Sequence, residues 1–553
     1  MNKGFCTDCG ALVPCRPETR DGRVFLVKEC PAGHRTETLI SSDAERYQAK
    51  RSLDVGVPEK GCSLHCLECR HQNVPSFVFV DITNRCNLNC PICINNTPSM
   101  GFTFDPPMEY FERIFEHFSL QNPPPTIQLF GGEPTVRNDL LDIIALARSK
   151  GLPTIQIVTN GLRLADPDYC RKLLDTRTTI LLSYDGSNPR TYKILRDSET
   201  ALDLKRRALD NVRRYGKAKV VLMTCVARGF NDREMADLLE FCHERRDFIR
   251  GIYFIPLTES WTRERLELAM ERITTEDIER MLQAARPGDR IDFIPAGVFG
   301  QIRCILKYLR LKPPPFTGAH PNCESRYLLV SNGTEYVPVS RYLKRTLPDL
   351  VLDLIRAEDE LARIARAAGR EPGGTWPETP DAIDRRLSRK ALRLFVGTLR
   401  RNLLPARPGE VGGQKSAWRL LSTAIGLLAG RPSRSVFARH ANIREILQII
   451  VLPFEDQAAL ETERMERCPS AFAFWDPRDG KVHSVPVCAW VLHKTKVMRF
   501  VAGHFARHPD RKEGVPSAYA SRYRDTPSSK VVPTPTERSS TPAVGPTALR
   551  FRR

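Results

Sequence analysis

Three cysteines with the spacing C-x3-C-x2-C are the residues of this sequence that point most directly to chemistry. They are Cys86, Cys90 and Cys93, in the segment DITNRCNLNCPICINN. A [4Fe–4S] cluster has four irons and is usually held by cysteine thiolates, so three cysteines leave one iron open to bind something else. The alternative is a zinc site completed by a distant fourth ligand. The spacing therefore predicts a metal centre of one of these two kinds.

Further cysteines, out of 17 in the chain, occur in groups. A first group has the spacing of ligands to one zinc or iron ion, and comprises Cys6, Cys9, Cys30 and His34. In that group, the alternative is that Cys15 or water, and not His34, is the fourth ligand of the metal ion. A second C-x3-C-x2-C motif, Cys62, Cys66 and Cys69, predicts an auxiliary [4Fe–4S] cluster with an unidentified fourth ligand. Four dispersed cysteines form either a third cluster or part of the core: Cys304, Cys323, Cys468 and Cys488.

The elements that must position these residues alternate between strand and helix from residue 77 to about 295. Candidate strands cover 77–82, 126–130, 154–159, 179–184, 220–226 and 252–257, with helix-like segments between them. Such repeated βα units predict a parallel sheet, closed as an open (β/α)6 barrel. The segment 81–96 follows the first strand directly, at the end where barrel enzymes place their chemistry.

Polar and glycine-rich motifs follow the next three predicted strands. Gly131-Gly132-Glu133-Pro134 follows the second strand, Thr159-Asn160-Gly161 the third and Ser183-Tyr184-Asp185-Gly186 the fourth. A single GGEP is a loose turn signal, whereas the ordered series at successive strand ends is specific.

Together, the cysteine motif and this series resemble the radical S-adenosylmethionine (SAM) superfamily. The resemblance implies that SAM chelates the open iron, and that reduction of the cluster yields a 5′-deoxyadenosyl radical, which abstracts hydrogen from the substrate. It implies an electron donor such as ferredoxin or flavodoxin, and no catalytic residue beyond the cluster. The residues that it implies for SAM binding are Gly131, Gly132, Glu133, Pro134, Thr159, Asn160, Ser183 and Asp185.

Residues 5–340 and 440–492 look more closely like the class D radical SAM proteins, which include a tetraether lipid synthase and a pterin methylase. The match rests on CTDC…ECPAGH, GCSLHCLEC, QLFGGEPTVRNDL, PNCESRYLLV and FEDQAALETERMERC…DGKVHSVPVCAW. The segments CPAGH and DFIPAGVF depart from the pattern, which puts His34 and Cys304 in doubt. The resemblance implies carbon–carbon coupling of lipid tails, with methylation of a small pterin-like substrate as the alternative.

Positive charge is concentrated in residues 385–440, which hold thirteen Lys or Arg and one acidic residue, Glu410. Interleaved apolar residues, including Trp418, are typical of a basic helix on an anionic membrane. The alternatives are a packed helical hairpin with a solvated basic face and an RNA-binding face. The net charge of +19 also keeps open a non-enzymatic, metal-stabilised nucleic-acid-binding protein.

The chain is predicted to divide into an α/β barrel with metal-binding regions on both sides. We expect a metal ribbon (1–45), an auxiliary-cluster segment (46–75), the barrel (76–300), a cysteine-containing segment (301–350), the basic insert (351–440), a C-terminal α/β iron–sulfur region (441–505) and a disordered tail (506–553). The sequence shows neither a signal peptide nor a transmembrane stretch. We therefore expect a cytoplasmic protein, peripheral on the inner face of the membrane if its substrate is a lipid.

Overall fold

The computed structural model describes residues 2–54, 61–64, 66–67, 74–95, 97, 100–216, 218–258, 271–309, 311, 318–370, 384–404 and 443–507. Several sequence predictions lie outside these residues: Cys69, residues 371–383 and 405–440 of the basic insert, and the tail from 508. None of the helices in the described part of the chain is long and apolar enough to cross a bilayer.

The N-terminal region is a four-stranded antiparallel sheet in the order β1-β2-β3-β4. Its strands are β1 (Lys3–Phe5), β2 (Leu12–Arg20), β3 (Arg23–Glu29) and β4 (Arg35–Ser41), followed by helix α1 (Ala44–Ser52). The turn Asp21-Gly22 has φ values of 48° and 70°, as a tight hairpin requires. The sheet lies where the sequence predicted a metal ribbon.

The main sheet contains the six predicted strands in their predicted order. They are β5 (Phe77–Asp81), β6 (Thr126–Phe130), β7 (Ile155–Thr159), β8 (Thr179–Ser183), β9 (Val220–Val226) and β10 (Ile249–Pro256). Each pairs in parallel with the next, so their carboxyl ends share one edge. This mixed α/β arrangement is consistent with the partial barrel that the sequence predicted.

Strands from later in the chain extend both sides of this sheet. They are β11 (Ile294–Pro295), β12 (Ser325–Ser331), β13 (Tyr336–Pro338), β14 (Glu445–Val451), β15 (Ser470–Asp476) and β16 (Lys481–Pro486). Strand β14 pairs in parallel with β10, and β15 in parallel with β5. The C-terminal region therefore continues the barrel sheet on its two flanks. Strands β15 and β16 form a hairpin whose turn contains Asp479 and Gly480.

Seven helices follow the strands of the first half. They are α2 (Met108–Ser119), α3 (Leu140–Ser149), α4 (Pro167–Asp175), α5 (Pro189–Arg196), α6 (Ala201–Tyr215), α7 (Met235–Glu244) and α8 (Thr275–Ala284). The apolar face of α2 is buried, with Phe111 and Phe115 fully enclosed. Together with strand residues such as Ile127 and Ile157, these side chains form the main core.

The remaining helices are α9 (Arg303–Tyr308), α10 (Leu347–Ala367), α11 (Arg385–Asn402), α12 (Thr462–Met465) and α13 (Val487–Arg507). Helix α10 begins before residue 351, where the basic insert was predicted to start, and Thr346 and Asp349 form a reciprocal capping box at its first turn. Helix α11 packs on α10 through Leu361, Leu387 and Ala391. Most of its basic side chains are exposed, and the rest of the 385–440 stretch lies outside the described residues.

Candidate active site at the carboxyl ends of the parallel strands

The loop that carries Cys86, Cys90 and Cys93 is fixed in place before its first cysteine. Thr83 Oγ1 donates to Asp105 Oδ1 at 2.5 Å, and Arg85 Nε donates to Asp105 Oδ2 at 3.0 Å. Asn84 bonds the 102–104 segment through both ends of its amide. The chain thus leaves β5 in one direction, towards the edge where the strands end.

The three thiols of this loop lie close enough to influence one another. Desolvation by the surrounding residues raises the pKa of Cys86 although the residue is partly open to solvent, and the nearby Glu133 carboxylate raises it further. Burial also raises the pKa of Cys90, whereas the Arg196 guanidinium lowers it. Three thiols with a cation beside them are a donor set that suits an iron–sulfur cluster, because ligation requires the thiolate form.

Two glycines allow the turn after β6 to pack directly on this loop. A Cβ at Gly131 would lie 2.2 Å from the carbonyl oxygen of Thr83, and one at Gly132 would lie 2.1 Å from that of Arg85. The amides of Gly132 and Glu133 donate to these two oxygens at 2.7 and 2.8 Å. The glycines are therefore needed for contact between the turn and the cysteine loop.

Glu133 is a buried carboxylate that joins the ends of two strands. Its Oε1 accepts hydrogen bonds from the hydroxyls of Thr135 and Thr159, each at 2.6 Å. Its Oε2 accepts from the amide of Asn160, also at 2.6 Å. The Asn160 side chain continues to Asn87, inside the cysteine loop, at 2.7 Å. Glu133 and Thr159 were predicted to contact SAM, and the structure places both in this positioning network.

Asp185 faces a guanidinium in the structure. It is fully buried and makes a two-point pair with Arg196 at 2.7 and 2.8 Å. Burial disfavours its charge, but Arg196, Lys205 and the amide of Cys225 outweigh that effect and hold the pKa of Asp185 below its ordinary value. Because Arg196 also acts on Cys90, Asp185 influences the cluster loop through Arg196.

Lys205 is a second cation at this edge that the sequence analysis missed. It is fully buried, and its Nζ donates to the carbonyls of Asn160 at 2.5 Å and Ser183 at 2.6 Å. Burial and the neighbouring Arg196 lower its pKa to about 8. A lysine on the apolar face of α6, in register with Leu202 and Leu209, was the available signal. No comparable signal marked Arg196.

The structure brings the ribbon residues Cys6, Cys9, Cys30 and His34 to one point. Their ligand atoms all lie within 4.8 Å of one another, including Cys9 Sγ to Cys30 Sγ at 3.5 Å and Cys6 Sγ to His34 Nδ1 at 3.9 Å. Ligands about 2.3 Å from a tetrahedral metal lie roughly 3.8 Å apart, so these residues fit a single ion. Cys15 lies outside this group, buried between Gly4 and Lys28.

Cys62 and Cys66 of the second cysteine motif lie beside the main core, while Cys69 is outside the described residues. The amide of Cys62 donates to Glu466 Oε2 at 3.3 Å. This contact ties the segment to the region immediately before Cys468.

Three of the four dispersed cysteines come together, and the fourth does not. Cys323 raises the pKa of Cys468 and Cys488, Cys468 raises that of Cys488, and the buried Arg464 acts on all three thiols. Cys304 departs from the predicted set. It packs against Leu361 in the core between α9 and α10, because Glu358 on α10 accepts the amides of Cys304 and Ile305 at 2.7 and 2.8 Å. Burial raises the pKa of Cys304 to about 12, as for an ordinary core thiol.

A cavity lies between the cluster loop and this group of three cysteines. Its lining includes Ile94 and Asn95 from the cysteine loop and Glu455 and Cys488 from the C-terminal region; the cavity volume is about 30 Å³, within a space of about 530 Å³ that includes open solvent. Burial raises the pKa of Glu455, against the opposing effect of Arg464. The cavity is bordered by Cys488 and by the two residues that directly follow Cys93.

Aromatic rings form a large part of the cavity wall. Trp490 stacks on Phe472 with ring centroids 5.2 Å apart, and Phe472 lies 5.0 Å from Phe79 and 5.5 Å from Phe130. The indole Nε1 donates to Asp81 at 2.8 Å. Trp490 is thus held at the end of β5, directly before the cysteine loop.

The radical SAM superfamily model matches residues 80–242, which run from the end of β5 to α7. A curated relative, 7,8-dihydro-6-hydroxymethylpterin dimethyltransferase from Methanocaldococcus jannaschii, is 31% identical over 353 residues, covering 61% of this chain and 70% of the relative. A GTP 3′,8-cyclase from Nautilia profundicola is 32% identical over 186 residues, covering 32% of this chain and 56% of the cyclase. This chain thus spans just over half the length of that cyclase.

Among solved structures, a radical SAM methyltransferase from Sphaerobacter thermophilus is 16% identical, covering 50% of this chain and 75% of that protein. The TM-score of 0.28 is too low for an element-by-element comparison. Family membership rests instead on the matched residues 80–242 and on the long alignment with the M. jannaschii relative. The chain belongs to the radical SAM superfamily.

Proposed function

We propose that this protein is a radical SAM methylase acting on a pterin-type heteroaromatic substrate. The observation that carries the proposal is the cavity beside the cluster loop, which has aromatic walls and a buried carboxylate, Glu455. Stacking surfaces and a few fixed polar groups are what a flat, nitrogen-rich ring requires. The printed activity of the M. jannaschii relative supports the same substrate class.

Within this proposal, Cys86, Cys90 and Cys93 hold the SAM cluster. When bound, the cluster and SAM supply hydrogen-abstracting radical chemistry. Arg196, besides its pair with Asp185, lies close to Cys90, where it could also pair with the carboxylate of bound SAM. Glu133 and Lys205 fix the strand ends around that position, and the aromatic wall keeps water from the substrate.

The other metal sites are part of the proposal. Cys62, Cys66 and Cys69 would hold one auxiliary cluster, and Cys323, Cys468 and Cys488 a second. Cys6, Cys9, Cys30 and His34 would hold one iron or zinc ion. Reduction of the clusters requires an external electron donor of the ferredoxin or flavodoxin type.

The test uses anaerobically reconstituted full-length protein with dithionite, 6-hydroxymethyl-7,8-dihydropterin and excess SAM, one molecule of which would supply the radical and a second the methyl group. We expect deoxyadenosine formation to rise when the pterin is added, together with a pterin product of higher mass. The matched control is Cys86→Ala, which should form no deoxyadenosine. SAM cleavage that ignores the pterin and leaves its mass unchanged would contradict the proposal.

Lipid-tail coupling is the second candidate, and one observation favours it. Helix α11 carries seven basic and no acidic residues, and such a surface binds anionic membranes. The modest size of the described cavity and its buried Glu455 weigh against two long apolar chains. Lipids extracted from a host expressing the protein would decide, since membrane-spanning tails of doubled length would favour coupling, together with peripheral attachment to the membrane.

A further inference from the structure

One oxygen of a buried carboxylate is left open in the wall of the cavity. Glu455 is 7% exposed, and its Oε1 pairs with Arg464 at 2.7 Å. Its Oε2 is buried and has no hydrogen-bond partner among the residues that the structure describes. Buried polar atoms are nearly always hydrogen bonded. An open carboxylate oxygen lining a cavity therefore indicates a donor that arrives with a ligand.

The neighbouring acidic side chain is already engaged. Asp456 Oδ1 accepts the amide of Ala459 at 3.0 Å, and Asp456 Oδ2 is ion-paired with Arg272 at 2.9 Å. Of these two acidic residues in the cavity wall, Glu455 thus has the available acceptor. Its position is set by Arg464, by the backbone amide of Glu461, which also acts on the carboxylate, and by its own amide, which donates to Cys488 Sγ at 3.5 Å.

The surroundings of Glu455 restrict the shape of the ligand that brings this donor. Phe79, Phe130, Phe472 and Trp490 line the same cavity, and their faces and edges favour a flat aromatic partner. An alkyl tail would fill the apolar part and leave Glu455 unsatisfied. A flat ring bearing an amino group satisfies both parts.

We infer that Glu455 is a specificity-determining residue, whose free oxygen accepts a hydrogen bond from the 2-amino group of a pterin-type ring packed against the aromatic wall. The inference rests on the proposed function and adds to it which edge of the ring the protein recognises. A ring with a carbonyl at that position would place two acceptors against each other, so it should be rejected.

The experiment compares 6-hydroxymethylpterin with 6-hydroxymethyllumazine, which carries a carbonyl in place of the 2-amino group. Both are titrated by fluorescence into the same preparation of reconstituted, unreduced protein with SAM. We expect the wild type to bind the pterin at least about tenfold more tightly, because only the pterin brings a donor to the carboxylate oxygen that Arg464 leaves free. Because both affinities come from one preparation, their ratio does not depend on the fraction of loaded protein.

The variant Glu455→Gln should reduce this ratio to about one, because an amide both donates and accepts. The matched control is Glu112→Gln, on the outer face of α2, where the carboxylate pairs with Lys150 at 3.0 Å; it should keep the wild-type ratio. Equal binding of the two ligands by the wild type, or an unchanged ratio in Glu455→Gln, would overturn the inference alone. Binding of neither ligand would overturn the proposed substrate class as well.

Discussion

Glu133 and Asp185 are buried carboxylates that form hydrogen bonds with other residues of the site. Their positions at strand ends were predictable from sequence, because polar residues after buried strands of a parallel sheet meet at one edge. Their partners were not predictable. Arg196 and Lys205 lie on helices that follow the strands, and only packing decides which carboxylate or carbonyl they reach.

Substitution of Asp185 by Asn should remove one charge from the buried pair with Arg196. We expect the free energy of unfolding to fall by about 3–5 kcal/mol, because the guanidinium is left without its counter-charge. Urea unfolding of the reconstituted protein measures the change. Asp203→Asn, at an exposed position on α6, is the control and should cost less than about 0.5 kcal/mol. Similar losses in the two variants would contradict the assigned role of the pair.

His320 gives the protein a predictable response to acid. It is fully buried, its Nε2 lies 3.2 Å from Glu463 Oε1, and burial lowers its pKa to about 4. An unfolded histidine has a pKa of about 6.5. Between these values the unfolded chain binds more protons than the folded one, so stability falls as the pH falls.

From pH 7 to pH 5, this histidine should contribute a loss of about 2 kcal/mol in the free energy of unfolding. His320→Gln retains a donor for Glu463 but does not titrate. Between pH 7 and pH 5, the free energy of unfolding of this variant should therefore fall by about 2 kcal/mol less than that of the wild type. Denaturant unfolding at the two pH values gives both slopes, and their difference removes the contributions shared by the two proteins. Equal slopes would show that His320 is not the responsible group.

At the scale of elements, contact between the cysteine loop and the turn after β6 determines the site. The sequence indicated a glycine turn, but glycines are frequent in any turn. It did not reveal that the turn packs on the backbone of Thr83 and Arg85, which lies more than forty residues earlier. Parallel pairing is set by such long-range contacts, which short sequence windows do not record.

Gly132→Ala should disrupt this contact, since its Cβ would lie 2.1 Å from the Arg85 carbonyl oxygen. We expect a loss of about 1–3 kcal/mol in the free energy of unfolding, and less iron bound at the 86–93 site. The matched control is Gly397→Ala in α11, where the nearest atom would be 3.7 Å away; it should be neutral or stabilising by up to about 1 kcal/mol. Unfolding and iron content of both variants provide the test, and equal behaviour would contradict it.

For the whole molecule, the sequence predicted a six-stranded barrel followed by a separate C-terminal region. The six strands were recognisable because each is a short apolar run between amphipathic helices. Strands β14 and β15 have the same character, and nothing in their residues says that they pair with β10 and β5. The barrel and the C-terminal region are separate in the sequence, but their strands belong to one continuous sheet.

Removal of residues 443–507 should consequently unfold the barrel, although the superfamily match ends at residue 242. Buried residues such as Leu447, Phe472 and Trp490 belong to the main core. We expect a fragment of residues 1–404 to lose near-UV circular dichroism and cooperative unfolding. A fragment of residues 1–507 is the control and should keep both, since the sequence predicts disorder beyond it. A cooperative 1–404 fragment would contradict this prediction.

The pairing of β5 with β15 also has a consequence for the order of events during synthesis. Almost 400 residues separate these neighbouring strands. Strand β5 therefore cannot pair with β15 until those residues have been translated. The cysteine loop that follows β5 leaves the exit tunnel long before its surroundings exist. Long-range partners of this kind form late and slowly. We therefore expect stable iron loading to be a post-translational step, and nascent chains to depend on protection of their thiols until β15 is in place.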